Sequence, residues 1–151
     1  MLIYNLKEIS FDDLLPSWKS HLWPKRKSKI ESQSIINHLG HLDHSVLQYQ
    51  PYFWGVFHDD KIVGVISGMK TSPVFFRSRG LWVHEEFREL GLATELLRSV
   101  ELRAKENGCK TLWSMPRCRS WGFYERIGFK IQFKLENYEF GPHYIAYKSL
   151  S

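Results

Sequence analysis

A chain of 151 residues is the size of one folded domain, and 43% hydrophobic with 25% charged residues is ordinary for a globular one, which excludes a disordered or fibrous chain. The formal net charge of +5 favours anionic partners in general (nucleic acid, membrane surface, phosphorylated cofactor) and chooses none of them. Two cysteines, Cys109 and Cys118, exclude a disulfide framework and are too isolated for a zinc site.

No apolar run reaches bilayer-spanning length, and the N-terminus acquires acidic residues too early for a signal peptide, so a cytoplasmic protein is expected. No repeat, low-complexity tract or linker divides the chain, so residues 1–151 are expected to form one domain. "IYNLKEISF" reads as a first strand leading to Asp12 and Asp13, which are placed to cap a helix through Leu14 and Leu15, with Pro16 in its first turn. A basic loop, "WPKRKSK", follows, and then "IESQSIINHLG" reads as a short helix ended by Gly40. "YFWGVF" and "IVGVISGMK" flank "HDDK", whose chemistry suits a hairpin turn. The run over residues 74–83 is again strand-like, though broken by Arg77, Ser78, Arg79 and Gly80, and it contains no carboxylate.

Leu92, Leu96, Leu97, Val100 and Ala104 share one face of a helix, Glu101 and Lys105 are spaced for an i,i+4 pair, and Asn107-Gly108 stops it. "TLWSM" is the next strand and "SWGFYERI" a short helix closed by Gly128. "FKIQFKL" alternates without a slip, with Phe129, Ile131, Phe133 and Leu135 on one side, as in a half-buried antiparallel strand. "HYIAYK" is placed to pair beside it. This order of elements gives an α/β or α+β fold with a mixed sheet.

Chemistry concentrates where the run over 74–83 gives way to the long helix. The first turn of a helix carries N–H groups without intrahelical partners and the positive end of the dipole. Gly91 removes one side chain there, Ala93 limits another to a methyl, and Arg88 adds positive charge, so a diphosphate is a chemically sensible guest. Tight packing of the helix on the sheet accounts for the two small residues equally well. No G-x-x-x-x-G-K-[ST] occurs, which excludes a P-loop, and the three-glycine dinucleotide fingerprint is absent.

Taken in series, "LWV" at 81–83, "RELGLA" at 88–93 and "FYERIGF" at 123–129 resemble the GNAT superfamily of acyl-CoA-dependent N-acyltransferases. The resemblance covers about residues 53–135, and the N-terminal third only by layout. It implies a largely antiparallel sheet of six to seven strands flanked by helices, with a splayed central strand pair. By that resemblance, main-chain groups of Leu81, Trp82 and Val83 would bind the pantetheine arm of acetyl-CoA like a missing strand. Arg88, Glu89, Leu90, Gly91, Leu92 and Ala93 would wrap the pyrophosphate, and Tyr124 would protonate the departing thiolate. Arg117 stands where many relatives have an asparagine and could reach a coenzyme phosphate instead. Glu89 is compatible with the phosphate loop if it points to solvent. No general base is assigned; His84, Glu85 and Glu86 are the nearby candidates.

Other features have plainer readings. His38, His41, Asp43 and His44 cluster in "NHLGHLDH", but Gly40 interrupts the helix and no distant ligand completes a metal site, so the segment is read as a polar loop that helps shape the acceptor pocket. Lys25, Arg26, Lys27 and Lys29 form a basic run without an aromatic RNA-binding signature, and Cys118 has no paired base. The sequence thus points to an N-acetyltransferase acting on a small-molecule or peptide amine, as a monomer or homodimer, without nucleic acid, membrane or metal. The alternatives are a non-catalytic acyl-CoA sensor on the same fold and a small basic nucleic-acid-binding protein. The acceptor pocket is expected to draw on residues 15–50 and on loops near 73 and 136–143.

Overall fold

The computed structural model describes residues 3–136 and 141–150. Seven strands form one sheet: β1 (Asn5–Ile9), β2 (Tyr52–His58), β3 (Lys61–Lys70), β4 (Phe75–Val83), β5 (Thr111–Ser114), β6 (Lys130–Leu135) and β7 (His143–Ser149). Their order across the sheet is β1-β2-β3-β4-β5-β7-β6, and every neighbouring pair is antiparallel except β4 with β5. The turn between β2 and β3 holds Asp59 and Asp60 at φ 49° and 64°, the two left-handed residues that a two-residue hairpin needs.

Helix α2 (Leu92–Glu106) makes the crossover from β4 to β5. Its expected apolar face is buried: Leu92, Leu96, Leu97, Val100 and Ala104 pack with Val63, Ile66, Phe76 and Leu112 of the sheet and with Tyr124 and Phe129. The short helix α3 (Trp121–Arg126) lies on the same core. A second cluster, Leu14, Trp18, Phe53, Val65 and Trp82, joins helix α1 (Phe11–Ser17) to the sheet, and a third gathers Ile36, Trp113 and Ile145.

Several sequence expectations are corrected. The cap of α1 is Ser10, whose hydroxyl accepts the Asp13 N–H at 3.1 Å, so Asp12 and Asp13 lie inside the first turn. Pro16 falls within the helix rather than in its first turn. Lacking an N–H, it cannot continue the hydrogen-bond ladder, and the chain widens into a π-turn over Trp18–Leu22, closed by the Trp23 N–H on the Trp18 carbonyl at 2.8 Å.

Residues 30–40 are not helical. The Asn37 side chain accepts the N–H groups of Leu39 and His41 at 3.0 and 3.1 Å, taking backbone donors that a helix would have used. The segment folds instead into a tight reversal with an isolated bridge between Ile36 and Leu42. Glu101 does not pair with Lys105; its carboxylate accepts from Lys148 of β7 at 2.5 Å. The alternation of β6 does slip, at a bulge between Ile131 and Phe133. That extra residue sends Phe133 and Leu135 to the Trp113 cluster while Phe129 stays in the α2 core, and Ile131 is left exposed.

Candidate active site

Strand β4 pairs with β5 only over residues 75–78, matched to 111–114. Beyond Ser78, β4 runs on to Val83 beside β3 while β5 has ended, so the two central strands part. A bulge keeps β4 on β3 through this stretch, since Trp82 faces Val65 but Arg79 faces Ser67. Gly80 sits in the bulge at φ 71°, and its carbonyl accepts the Trp18 indole N–H at 2.8 Å. A Cβ at Gly80 would lie 2.4 Å from three atoms of that indole ring, so only glycine fits.

The gap is the mouth of a cavity of about 570 Å³. Ser78 to Leu81 form one wall and Ser114 to Arg117 another, with Tyr124 between them and residues 31–36 across the opening. Tyr124 is buried, and burial pushes its phenol up to about 12 despite a hydrogen bond with Ser114. The Ser114 hydroxyl, beside the phenol, donates to the Ser78 carbonyl at 3.2 Å. Tyr124 is therefore a neutral O–H bordering the gap.

Four arginines border the cavity. Arg77 is buried with its guanidinium 4.9 Å from the Trp113 ring, and Arg79 lies over Trp18 while donating to the Glu31 carbonyl at 2.9 Å. Arg117 donates to the Leu22 carbonyl at 2.9 Å, and burial, then repulsion from Arg119, lowers its proton affinity. The fourth, Arg26, stacks on Trp23. His143 is buried as well, its Nδ1 donating to the Gly141 carbonyl at 2.8 Å, and burial holds the ring below its ordinary value.

The helix-initiating segment lies outside this cavity, on the surface. Gly91 precedes α2 at φ 83°, and a Cβ placed on it would meet nothing within 4 Å. Arg88, Glu89 and Leu90 are exposed too; Glu89 adopts a left-handed φ of 64°, and its carboxylate is on the solvent side. Arg88 uses its Nε on the Val83 carbonyl at 2.9 Å, tying the loop to the end of β4. Leu92 is buried in the core and Ala93 partly so.

Of the residues singled out in the sequence, the fold brings Leu81, Arg117 and Tyr124 to one cavity. Trp82 and Val83 offer only main chain, because their side chains are buried, Trp82 stacked on His21 at 4.2 Å. His84, Glu85 and Glu86 do not line the cavity; its carboxylate among the described residues is Glu31. Of the acceptor loops expected to contribute, 137–140 lie outside the described residues. His44 borders the cavity, whereas His38 stacks on Phe75 and Asp43 accepts from Asn37 and Ser45. Among the described residues no three His, Cys, Asp or Glu side chains are grouped to hold a metal ion, and no helix is long and apolar enough to cross a membrane.

Sequence reasoning missed Ser114, Arg77 and His143. Two arginines interrupting an apolar strand were the available signal for Arg77; Ser114 and His143 gave none.

The model of the acetyltransferase (GNAT) family matches residues 9–129. A curated Bacillus subtilis (strain 168) protein, the uncharacterized N-acetyltransferase YitI, is 25% identical over 103 residues, which is 64% of this chain and 69% of that one. Among solved structures, Ard1 from Thermoplasma volcanium superposes with a TM-score of 0.70 at 20% identity, over 97% of each chain. A GNAT family acetyltransferase from Elizabethkingia anophelis, solved with acetyl-CoA bound, gives 0.65 at 14% identity, again over 97% of each. At these identities the structural likeness concerns the fold: a seven-stranded, mostly antiparallel sheet flanked by helices.

Proposed function

This chain belongs to the GNAT acetyltransferase family, and on that premise we propose that it transfers an acetyl group from acetyl-CoA to a primary amine by direct attack in a ternary complex. The observation that carries this reading is the parting of β4 from β5 with Tyr124 lining the cavity that it opens. A strand edge left without a neighbour offers N–H and C=O groups to an extended ligand, as the pantetheine arm would be. Beyond the same edge stands the open first turn of α2, suited to the diphosphate through Gly91 and its neighbours.

The amine must arrive neutral, having lost the proton it carries in water, to form the C–N bond as the C–S bond breaks. Main-chain N–H donors along β4 are suited to the carbonyl oxygen as its charge grows. Tyr124 then donates to the sulfur. Because the phenolate of a group held at about 12 is more basic than an ordinary thiolate, the phenol acts as a hydrogen-bond donor while negative charge builds on sulfur, and the proton that the nitrogen sheds on becoming an amide balances the thiolate that leaves. Holding two substrates in line across the gap supplies much of the acceleration.

The test pairs acetyl-CoA titration with thiol release in wild type and Tyr124→Phe. The variant is expected to bind acetyl-CoA as the wild type does and to lose roughly a hundredfold or more in kcat. An unchanged rate would remove the role given to Tyr124. Saturable binding without thiol release from any amine in the wild type would favour a sensor over an enzyme.

A further inference from the structure

Two exposed leucines on the rim of the cavity bear on which amine this site accepts. Resting on the acyltransferase reading, we infer that the acceptor carries a hydrocarbon group of several carbons, which packs on Leu42 and Leu47 while its nitrogen faces the gap beside Tyr124.

Leu42 is 73% exposed and Leu47 46%, and both line the cavity that Tyr124 borders. Single leucines scattered over a surface are ordinary. Two on one cavity form a patch, and Leu22, Trp23, Ile35 and Met115 extend the apolar lining beyond them. Polar side chains of the same wall are already used inside the protein: Arg79 donates to the Glu31 carbonyl, Arg117 to the Leu22 carbonyl, and Gln33 to the Tyr49 carbonyl at 2.6 Å. The two leucines instead meet solvent, which a hydrocarbon group seated on them would displace favourably.

The rim is also held in place by its own polar bonds. Asn37 takes the N–H groups of Leu39 and His41, and Asp43 accepts the Ser45 N–H at 3.0 Å, starting the 3-10 turn His44–Gln48 that carries Leu47. Gln33 fixes the far end of that turn through Tyr49. Ile36, bridged to Leu42, is buried with Trp113 and Ile145. Leu42 and Leu47 are thus presented on ordered backbone, so little loop ordering is left to oppose binding. The same anchor separates the rim from the coenzyme. Along β5, Leu112 enters the α2 core and Trp113 faces the other side of the sheet. The diphosphate reading belongs to α2, and the hydrocarbon group proposed here to the opposite face.

Two matched pairs of amines test this: 3-methylbutylamine against ethylamine, and leucinamide against asparaginamide, each with acetyl-CoA, with products read by mass spectrometry and rates by thiol release. The first pair matches basicity and differs in hydrocarbon length; the second matches size and differs in polarity. Each buried methylene is worth about fourfold in affinity, so the hydrocarbon member of at least one pair should be favoured in kcat/KM by on the order of tenfold to a hundredfold. In Leu42→Gln that preference should shrink through a raised KM for the hydrocarbon amine. Acetyl-CoA affinity and Tm should hold, because the side chain removed is exposed. Leu39→Gln is the control: Leu39 is 44% exposed in the same reversal but does not line the cavity, so the preference should survive. The inference is overturned if neither pair favours its hydrocarbon member, if neither hydrocarbon amine gives product, if Leu42→Gln keeps the full preference or weakens acetyl-CoA binding instead, or if Leu39→Gln loses as much. Failure of acetyl-CoA to bind at all would instead sink the acyltransferase reading beneath it.

Discussion

Replacing Gly91 with alanine separates what the first turn of α2 needs for folding from what it needs for a ligand. Gly91 has φ 83°, a conformation that costs an alanine about 1–2 kcal/mol. The added Cβ would meet nothing within 4 Å, so no packing penalty joins that cost. In a chain of this length each kcal/mol lowers Tm by roughly 2–4 °C, which predicts a fall of about 2–8 °C. If a diphosphate lies against this turn, the same methyl group occupies ground that its oxygens need. Acetyl-CoA affinity should then drop about tenfold or more, a loss of at least about 1.4 kcal/mol. S-acetyl-pantetheine, which lacks the diphosphate, should be used equally well by variant and wild type. Calorimetric titration, with thermal unfolding of the free proteins alongside, reads both effects. A variant that melts as predicted but binds acetyl-CoA normally would refute the diphosphate assignment while leaving the backbone argument standing.

Gly80→Ala is the contrasting case: φ 71° and a Cβ 2.4 Å from a fully buried, hydrogen-bonded indole predict a loss of roughly 3 kcal/mol or more in urea unfolding, and a loss near that of Gly91→Ala would mean that Trp18 yields. With Tyr124 at about 12, kcat should show no decline from phenol ionisation up to pH 10; a Tyr124-dependent alkaline limb below that pH would contradict the burial that raises it. Burial also depresses His143, so above its ordinary value of 6.5 the ring is neutral in both folded and unfolded chains. As pH falls below 6.5 the unfolded chain takes up a proton that the folded one resists, and stability is lost. Thermal unfolding between pH 7 and 5 should therefore show a falling Tm, with a shallower slope in His143→Gln; equal slopes would remove the assignment.

Local pattern was enough for the elements that bury one regular face or turn on local chemistry. The helix through Leu92, Leu96, Leu97, Val100 and Ala104 is written in its period, and the Asp59-Asp60 hairpin in its residues. The open start of α2 was legible for the same reason, because Gly91 and Ala93 mark it without reference to anything distant. Residues 30–40 misled because a helical spacing says nothing of the Asn37 side chain capturing the Leu39 and His41 N–H groups. The bulge in β6 was hidden because alternation cannot register a residue that its partner strand leaves unpaired.

The cavity is of another kind. It exists because β5 stops at Ser114 while β4 continues, and because β7 inserts between β5 and β6, which brings His143 beside Arg117. Contacts such as Trp18 with Gly80, or Ser114 with Ser78, join residues tens of positions apart, and no window of sequence contains both partners. Sequence alone determined where a helix starts on an uncrowded backbone and which helix faces must be buried, since both depend on neighbours along the chain. Which charges share one enclosed space was decided only by tertiary structure, because burial and field depend on distance through the fold.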